Sequence, residues 1–224
     1  MTFKPPLLFI TRLAVFVAAS LSCVAAQAAP QGESFAVTGE RVVTAIPQGW
    51  KLAWMMGTPA GGFMAEYIPA ADNIDTWHGG YLAIARFPYP SAKVMQEFKD
   101  KKVHPAEVAQ AQLQDALRNS CGDKFEAMPR GLNQLGDLLF SVSGGYCPHM
   151  GTTAPFGEGS FVAFIEGKEF LHKVQYSWRP ASAKEQDQNK PWGIGKDKSV
   201  QYLEAMKAST LCDGSYKTCS ANYR

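Results

Sequence analysis

A chain of 224 residues, 46% hydrophobic and 19% charged, with 20 Gly, 14 Pro and 5 Cys, is not a disordered tail, a collagen-like repeat or a coiled coil. A formal net charge of +2 gives no electrostatic reason to expect a nucleic-acid partner.

The first residues read as a targeting segment. Lys4 and Arg12 form a basic leader, an apolar run follows from Leu13, and Ala26-Gln27-Ala28 supplies the small-x-small pattern that signal peptidase cuts. Residues 1–28 are therefore expected to be a signal peptide, and residues 29–224 a single domain in the periplasm or secreted. A buried N-terminal helix is the alternative, but a core helix rarely carries a basic leader, no acidic residue and an A-x-A exit. The apolar run is shorter than the roughly 20 residues a membrane span needs. No such run occurs later, so no transmembrane segment is expected after cleavage. Ser20-Leu21-Ser22-Cys23 loosely resembles a lipobox, which would anchor the protein through Cys23. It lacks the aliphatic residue three places before the cysteine, and cleavage at Ala28 is preferred. Cleavage there leaves 196 residues (224 less 28) with 20 basic against 20 acidic side chains. A domain of that length buries roughly 70% of its unfolded surface.

After the leader, residues 42–46 are β-branched and apolar, and Pro47-Gln48-Gly49 ends them in a turn. Residues 50–56 and 63–68 read as strands separated by a Gly/Pro breaker cluster. Residues 69–75 form a polar turn. Residues 81–87 are another strand, with Tyr81, Ala83, Ala85 and Phe87 on one face. Helical spacing begins at the N-cap candidate Ser91 and runs to Lys102. Pro105 then opens a second helix. Ala106, Ala109, Leu113, Ala116 and Leu117 form its apolar stripe, while Glu107, Gln110, Gln114 and Arg118 are expected to face away.

A second set of strands spans residues 124–178. Leu138, Phe140, Val142 and Tyr146 alternate with Ser141, Ser143 and Cys147, which suggests one buried face. Residues 161–165 are apolar on both faces and are the candidate central strand. Glu166-Gly167-Lys168 turns the chain into a strand on which Phe170, His172, Val174, Tyr176 and Trp178 share a face. Residues 179–196 read as an exposed loop. Asp197 caps a final helix, with Val200, Leu203 and Met206 inward. No repeat or linker divides the chain. The order strands, helices, strands, helix predicts an α+β fold: a mainly antiparallel sheet with helices packed on it, sandwich-like.

The resemblance that the first strands carry is to PsbP-like proteins. Ala45-Ile46-Pro47-Gln48-Gly49-Trp50 looks like their strand–P-x-G-W–strand opening, and Glu66-Tyr67-Ile68-Pro69 with Trp77 is similar to a segment of exported bacterial proteins of unassigned function. The resemblance covers roughly residues 35–178 and leaves out the C-terminal cysteine tail. It implies an exported α/β/α sandwich acting as a scaffold or binding protein, and it supplies no catalytic residue.

Cys121, Cys147, Cys212 and Cys219 follow the leader, an even number in a compartment that permits disulfides. Four cysteines allow three pairings, and proximity favours Cys121–Cys147 and Cys212–Cys219. A metal site built from Cys147, His149 and His172 has no zinc-like spacing, so neither a metal nor another cofactor is expected. The nucleophile elbow G-x-S-x-G, the phosphate-binding loop and the dinucleotide fingerprint are all absent. The chemistry expected of such a chain is recognition. Trp50, Trp54, Tyr67, Trp77 and His149 are the candidate ligand-binding residues, the last on a loop over residues 148–157. The expected function is an exported, disulfide-stabilised binding or assembly module of the bacterial envelope, with an unidentified protein or small molecule as partner. The alternative is an envelope hydrolase whose site assembles in space from His78, His149 or His172 with Ser160 or Asp137.

Overall fold

The computed structural model describes residues 39–58, 60–135 and 138–213. The expected leader, Cys23, Asp137 and Cys219 lie outside these described residues. Ten strands are described: β1 (Glu40–Val43), β2 (Trp50–Gly57), β3 (Phe63–Pro69), β4 (Tyr81–Pro88), β5 (Glu126–Ala127), β6 (Gly131–Leu135), β7 (Leu138–Cys147), β8 (Glu158–Glu166), β9 (Phe170–Trp178) and β10 (Thr210–Asp213). The helices are α1 (Ala92–Asp100), α2 (Pro105–Cys121), α3 (Ala183–Gln188) and α4 (Lys196–Lys207).

Eight strands form one antiparallel sheet in the order β2-β3-β4-β9-β8-β7-β5, with β6 also paired to β7. β5 and β6 act as one interrupted edge. Met128 still donates its N–H to Gly144 O at 3.0 Å, but Pro129 has no N–H to continue the ladder. β1 and β10 form a separate two-stranded ribbon. The expected first strand over residues 42–46 is displaced accordingly: β1 ends at Val43. The turn after it closes with Trp50 N–H on Pro47 O at 3.2 Å, and Gly49 takes φ +79°, a conformation glycine adopts without strain.

Both faces of the sheet are covered. On one, Leu82, Ile84, Phe161, Ala163, Ile165, Val174, Tyr176 and Trp178 pack with Tyr202 and Met206 of α4 and Val42 of the ribbon. On the other, Val162 and Phe164 pack beneath Ala106, Ala109 and Leu113 of α2. β8 is thus buried on both faces and lies inside the sheet; the middle place belongs to its neighbour β9. The architecture is the antiparallel α+β sandwich that the element order implies.

Local readings are corrected at four places. Gln110 and Gln114 are buried against the sheet instead of facing solvent. The Gln114 side-chain amide donates to Met128 O at 2.9 Å and to Ser143 Oγ, so the helix brings its own donor to a polar strand face. Ser141 and Ser143, the polar alternates of β7, are for the same reason more deeply buried than Phe140 and Val142. Residues 179–196 include α3 and bury Ile194 against the core. α4 begins after Gly195 at the cap position; Leu203 and Met206 pack inward as expected, joined by Tyr202, while Val200 is 49% exposed.

Candidate functional site

The aromatic candidates do not form one cluster. Trp50 and Tyr67 are half-buried at the margin of the larger core. A register shift between Leu52 and Trp54 sends Trp54 to the opposite face, beside Glu66. Trp77 is buried: it stacks on Tyr81 at 5.2 Å, and the Arg179 guanidinium covers its ring at 4.1 Å. Arg179 is held in turn by Glu158 at 2.8 Å.

The histidines are dispersed too. His78 is exposed, and its backbone N–H donates to Asp72. His149 is exposed on its loop, with Nδ1 3.0 Å from Pro155 O. That loop closes on itself through paired hydrogen bonds between Met150 and Ala154. His172 is fully buried on the ribbon side of the sheet. Ser160 is on the other side, since it precedes the inward-facing Phe161 on β8. Cys147, far from supplying a thiolate ligand, is bonded to Cys121 with Cα atoms 5.7 Å apart. Cys212 is also disulfide-bonded. Among the described residues no group of three or more His, Cys, Asp or Glu gathers as a metal site.

Two groups of charged residues escaped the sequence reading. The first fastens the ribbon. Glu40 accepts backbone N–H bonds from Lys168 (2.7 Å), Glu169 (3.2 Å) and Phe170 (3.1 Å), and a ring N–H bond from His172 (3.1 Å). Burial raises its pKa, but these four donors outweigh it and the net displacement is downward. Arg86, fully buried, donates to Glu40 O at 2.6 Å and Gly61 O at 2.8 Å between the rings of Phe63 and Phe170. This cluster fastens the ribbon and the loop at Gly61 to the main sheet.

The second group lies on the α2 side and borders open space. Between α1, the first half of α2, the Pro88-Tyr89-Pro90 segment and the sheet lies a groove of about 170 Å³. Its walls include Met64, Phe87, Phe98, Leu113, Phe164 and Leu171, and among the described residues Lys173 is the one charged side chain that lines it. Pro88 ends β4 opposite Phe170, and neither it nor Pro90 has an N–H with which to continue the ladder. α1 lends only one side: it is amphipathic, yet none of its residues is buried. The groove is therefore a consequence of packing two short helices over a sheet wider than they are.

Lys173 projects from β9 beside Ala85 of β4 and Phe164 of β8. The small Ala85 leaves room for its stem. Its Nζ donates to Gln175 Oε1 at 3.1 Å, and Gln175 Nε2 donates to Ser177 Oγ at 2.9 Å. Burial among apolar side chains brings the ammonium down to about 8, with Glu66 acting in the opposite sense. Glu66 is itself raised by burial, against the effect of a hydrogen bond from Tyr81. The arrangement can hold an apolar body against the walls and present a basic nitrogen to its polar end. One signal in the chain pointed here. A strand beside one that is apolar on both faces must itself be covered on both faces, so a lysine on its polar register is an anomaly.

No family model matches the chain, and no curated protein matches it either. Among solved structures, it is similar to cyanobacterial PsbP (CyanoP) from Synechocystis sp. PCC 6803, at 8% identity and a TM-score of 0.43, covering 82% of this chain and 100% of that one. It is also similar to LpqN, involved in cell envelope biogenesis of Mycobacterium tuberculosis, at 13% identity and a TM-score of 0.33, covering 87% of this chain and 96% of that one. Among the described residues no helix is long and apolar enough to cross a membrane.

Proposed function

We propose that the chain is an exported, disulfide-stabilised binding module of the bacterial envelope that takes a small apolar ligand with a polar end in the groove beneath α1 and α2. The observation that carries this reading is the groove itself: apolar walls around a single lysine. Binding sites are commonly concave and apolar, with a few polar groups that set orientation. A cavity of about 150 Å³ lined by apolar side chains is enough to hold benzene. A space of about 170 Å³ accordingly suits one ring or a short alkyl chain. Export is supported by the basic leader, the A-x-A exit and the cysteine count.

Titration of the ¹⁵N-labelled protein with hexan-1-ol tests the site. Saturable amide shifts are expected at Val108, Ala109, Leu113 and Leu171, with a Kd on the order of 1 mM for so small a ligand. Ala109→Trp should fill the groove and abolish them while the thermal transition persists. Absence of saturable shifts, or their survival in a folded Ala109→Trp protein, overturns the assignment. Intact mass of protein recovered from its own cells tests export: Ala29 as first residue is expected. A diacylated Cys23 places the module on a membrane instead, and an N-terminus at Met1 removes export.

A further inference from the structure

We propose that Lys173 captures small apolar aldehydes as a reversible imine, so that the groove holds its ligand by a covalent bond as well as by contact. This rests on the groove being the ligand site and names the ligand's polar end. Three features of the geometry converge on it. Among the described residues, Lys173 is the sole charged group lining the groove. Its amine is held by the neutral amide of Gln175, and no described carboxylate is fixed on it by an ion pair. The surrounding walls are mainly aromatic and aliphatic, so an apolar aldehyde is drawn to the same space as the amine. An ordinary surface lysine is protonated at neutral pH and has no free electron pair. A lysine desolvated in an apolar pocket carries a larger neutral fraction, which is how amines are activated toward carbonyls, and its lowered pKa agrees.

The chemistry balances without an oxidant or a cofactor. The Nζ lone pair attacks the aldehyde carbon; a C–N bond forms, the C=O π pair moves to oxygen, and that oxygen takes up the proton that nitrogen gives up. The resulting carbinolamine loses its C–O bond as water departs. Nitrogen releases its remaining proton, and a C=N bond is left. Glu66, which acts electrostatically on Lys173 and whose pKa burial raises, is the neighbouring carboxyl group suited to relay that proton. Among the described residues, Glu66 from β3 is the charged group that acts on Lys173, Tyr81 from β4 bonds Glu66, and Tyr89 lines the same groove; the lining residues of α1 and α2 are uncharged. Hydrolysis reverses each step, which suits capture and release better than turnover.

The experiment is reduction of the intact protein with sodium borohydride after incubation with hexanal, followed by peptide mapping. One hexyl group is expected on the peptide containing Lys173, at least about tenfold faster than on the average of the other lysines. Labelling should rise to a plateau above about pH 8. Lys173→Arg and Lys173→Met should lose it while remaining cooperatively folded and while the hexan-1-ol shifts at Val108, Ala109 and Leu113 stay saturable, and Glu66→Gln should slow it without moving the alcohol affinity. Hexan-1-ol binding with no preference for Lys173 over other lysines overturns the imine but leaves the groove as a site. No alcohol binding together with unselective labelling overturns both.

Discussion

The ring nitrogen Nε2 of His172 lies 3.1 Å from Oε1 of Glu40, a residue 132 positions earlier in the chain, and both side chains are buried. The pair ties the β1–β10 ribbon to the centre of the main sheet. Burial lowers the His172 pKa below 6.5 despite Glu40, so the ring is neutral and donates through Nε2. Both groups therefore lose stability on acidification. Below 6.5 the unfolded chain binds a proton at His172 that the folded one refuses; below 4.5 it does so at Glu40, whose folded pKa is also lowered. Urea midpoints are expected to be flat between about pH 7 and pH 8 and to fall in two stages on acidification, the first below 6.5 and the second below 4.5. Glu40→Gln should cost about 1–3 kcal/mol at neutral pH and remove the lower stage. A midpoint that stays constant down to pH 4 contradicts the pair.

Arg86 carries a similar weight. Its guanidinium joins the ribbon (Glu40 O) to the loop before β3 (Gly61 O) while lying over two aromatic faces. Lysine keeps the charge but loses the planar fork and the stacking. Arg86→Lys is expected to destabilise by about 2–4 kcal/mol, read as a lowered denaturation midpoint at unchanged slope. A loss under about 0.5 kcal/mol would mean that the guanidinium geometry contributes little.

The Cys121–Cys147 bond joins the last residue of α2 to the end of β7 across 26 positions. Closing a loop of that size contributes about 3–4 kcal/mol in the chain-entropy account. The double variant Cys121→Ser/Cys147→Ser should therefore unfold at a lower denaturant concentration by that amount, and α2 amides near its C-terminus should exchange fastest. Equal stability of the two proteins would show that α2 is held by its packing alone.

What the sequence shows plainly is what neighbours in the chain decide. The turn at Gly167 and the pairing of β8 with β9 follow from a short turn between two apolar runs, and Pro105 marks the start of α2 because its missing N–H costs nothing there. Readings failed where a distant partner decides. Gln114 looks solvent-facing by helical spacing, but its acceptors, Met128 O and Ser143 Oγ, come from elements beyond its own helix. Trp54 leaves Trp50 because one irregular step in β2 exchanges the two faces of the strand. The groove was invisible for a related reason: Met64, Phe98, Leu113 and Leu171 lie on four elements, and no spacing along the chain reports that they meet.

Lys173 offers a last test, in stability. A lysine whose folded pKa is depressed to about 8 from 10.5 opposes folding wherever it must remain charged. Below 8 both folded and unfolded chains carry the proton, and the cost of desolvating it is present in full. As pH rises from 8 to 10.5 the folded chain gives up its proton first, and the cost disappears. Lys173→Met, which keeps the length of the stem without the charge, is expected to stabilise the protein by about 1–3 kcal/mol at pH 7. The advantage over wild type should shrink steadily between pH 8 and pH 10.5. Urea unfolding of both proteins across that range measures it directly. A gain that does not change with pH would trace to better packing alone, and a loss at pH 7 would mean that the bond to Gln175 outweighs the desolvation. The expected gain has a functional meaning, because a chain selected for stability only would place an apolar residue at this position.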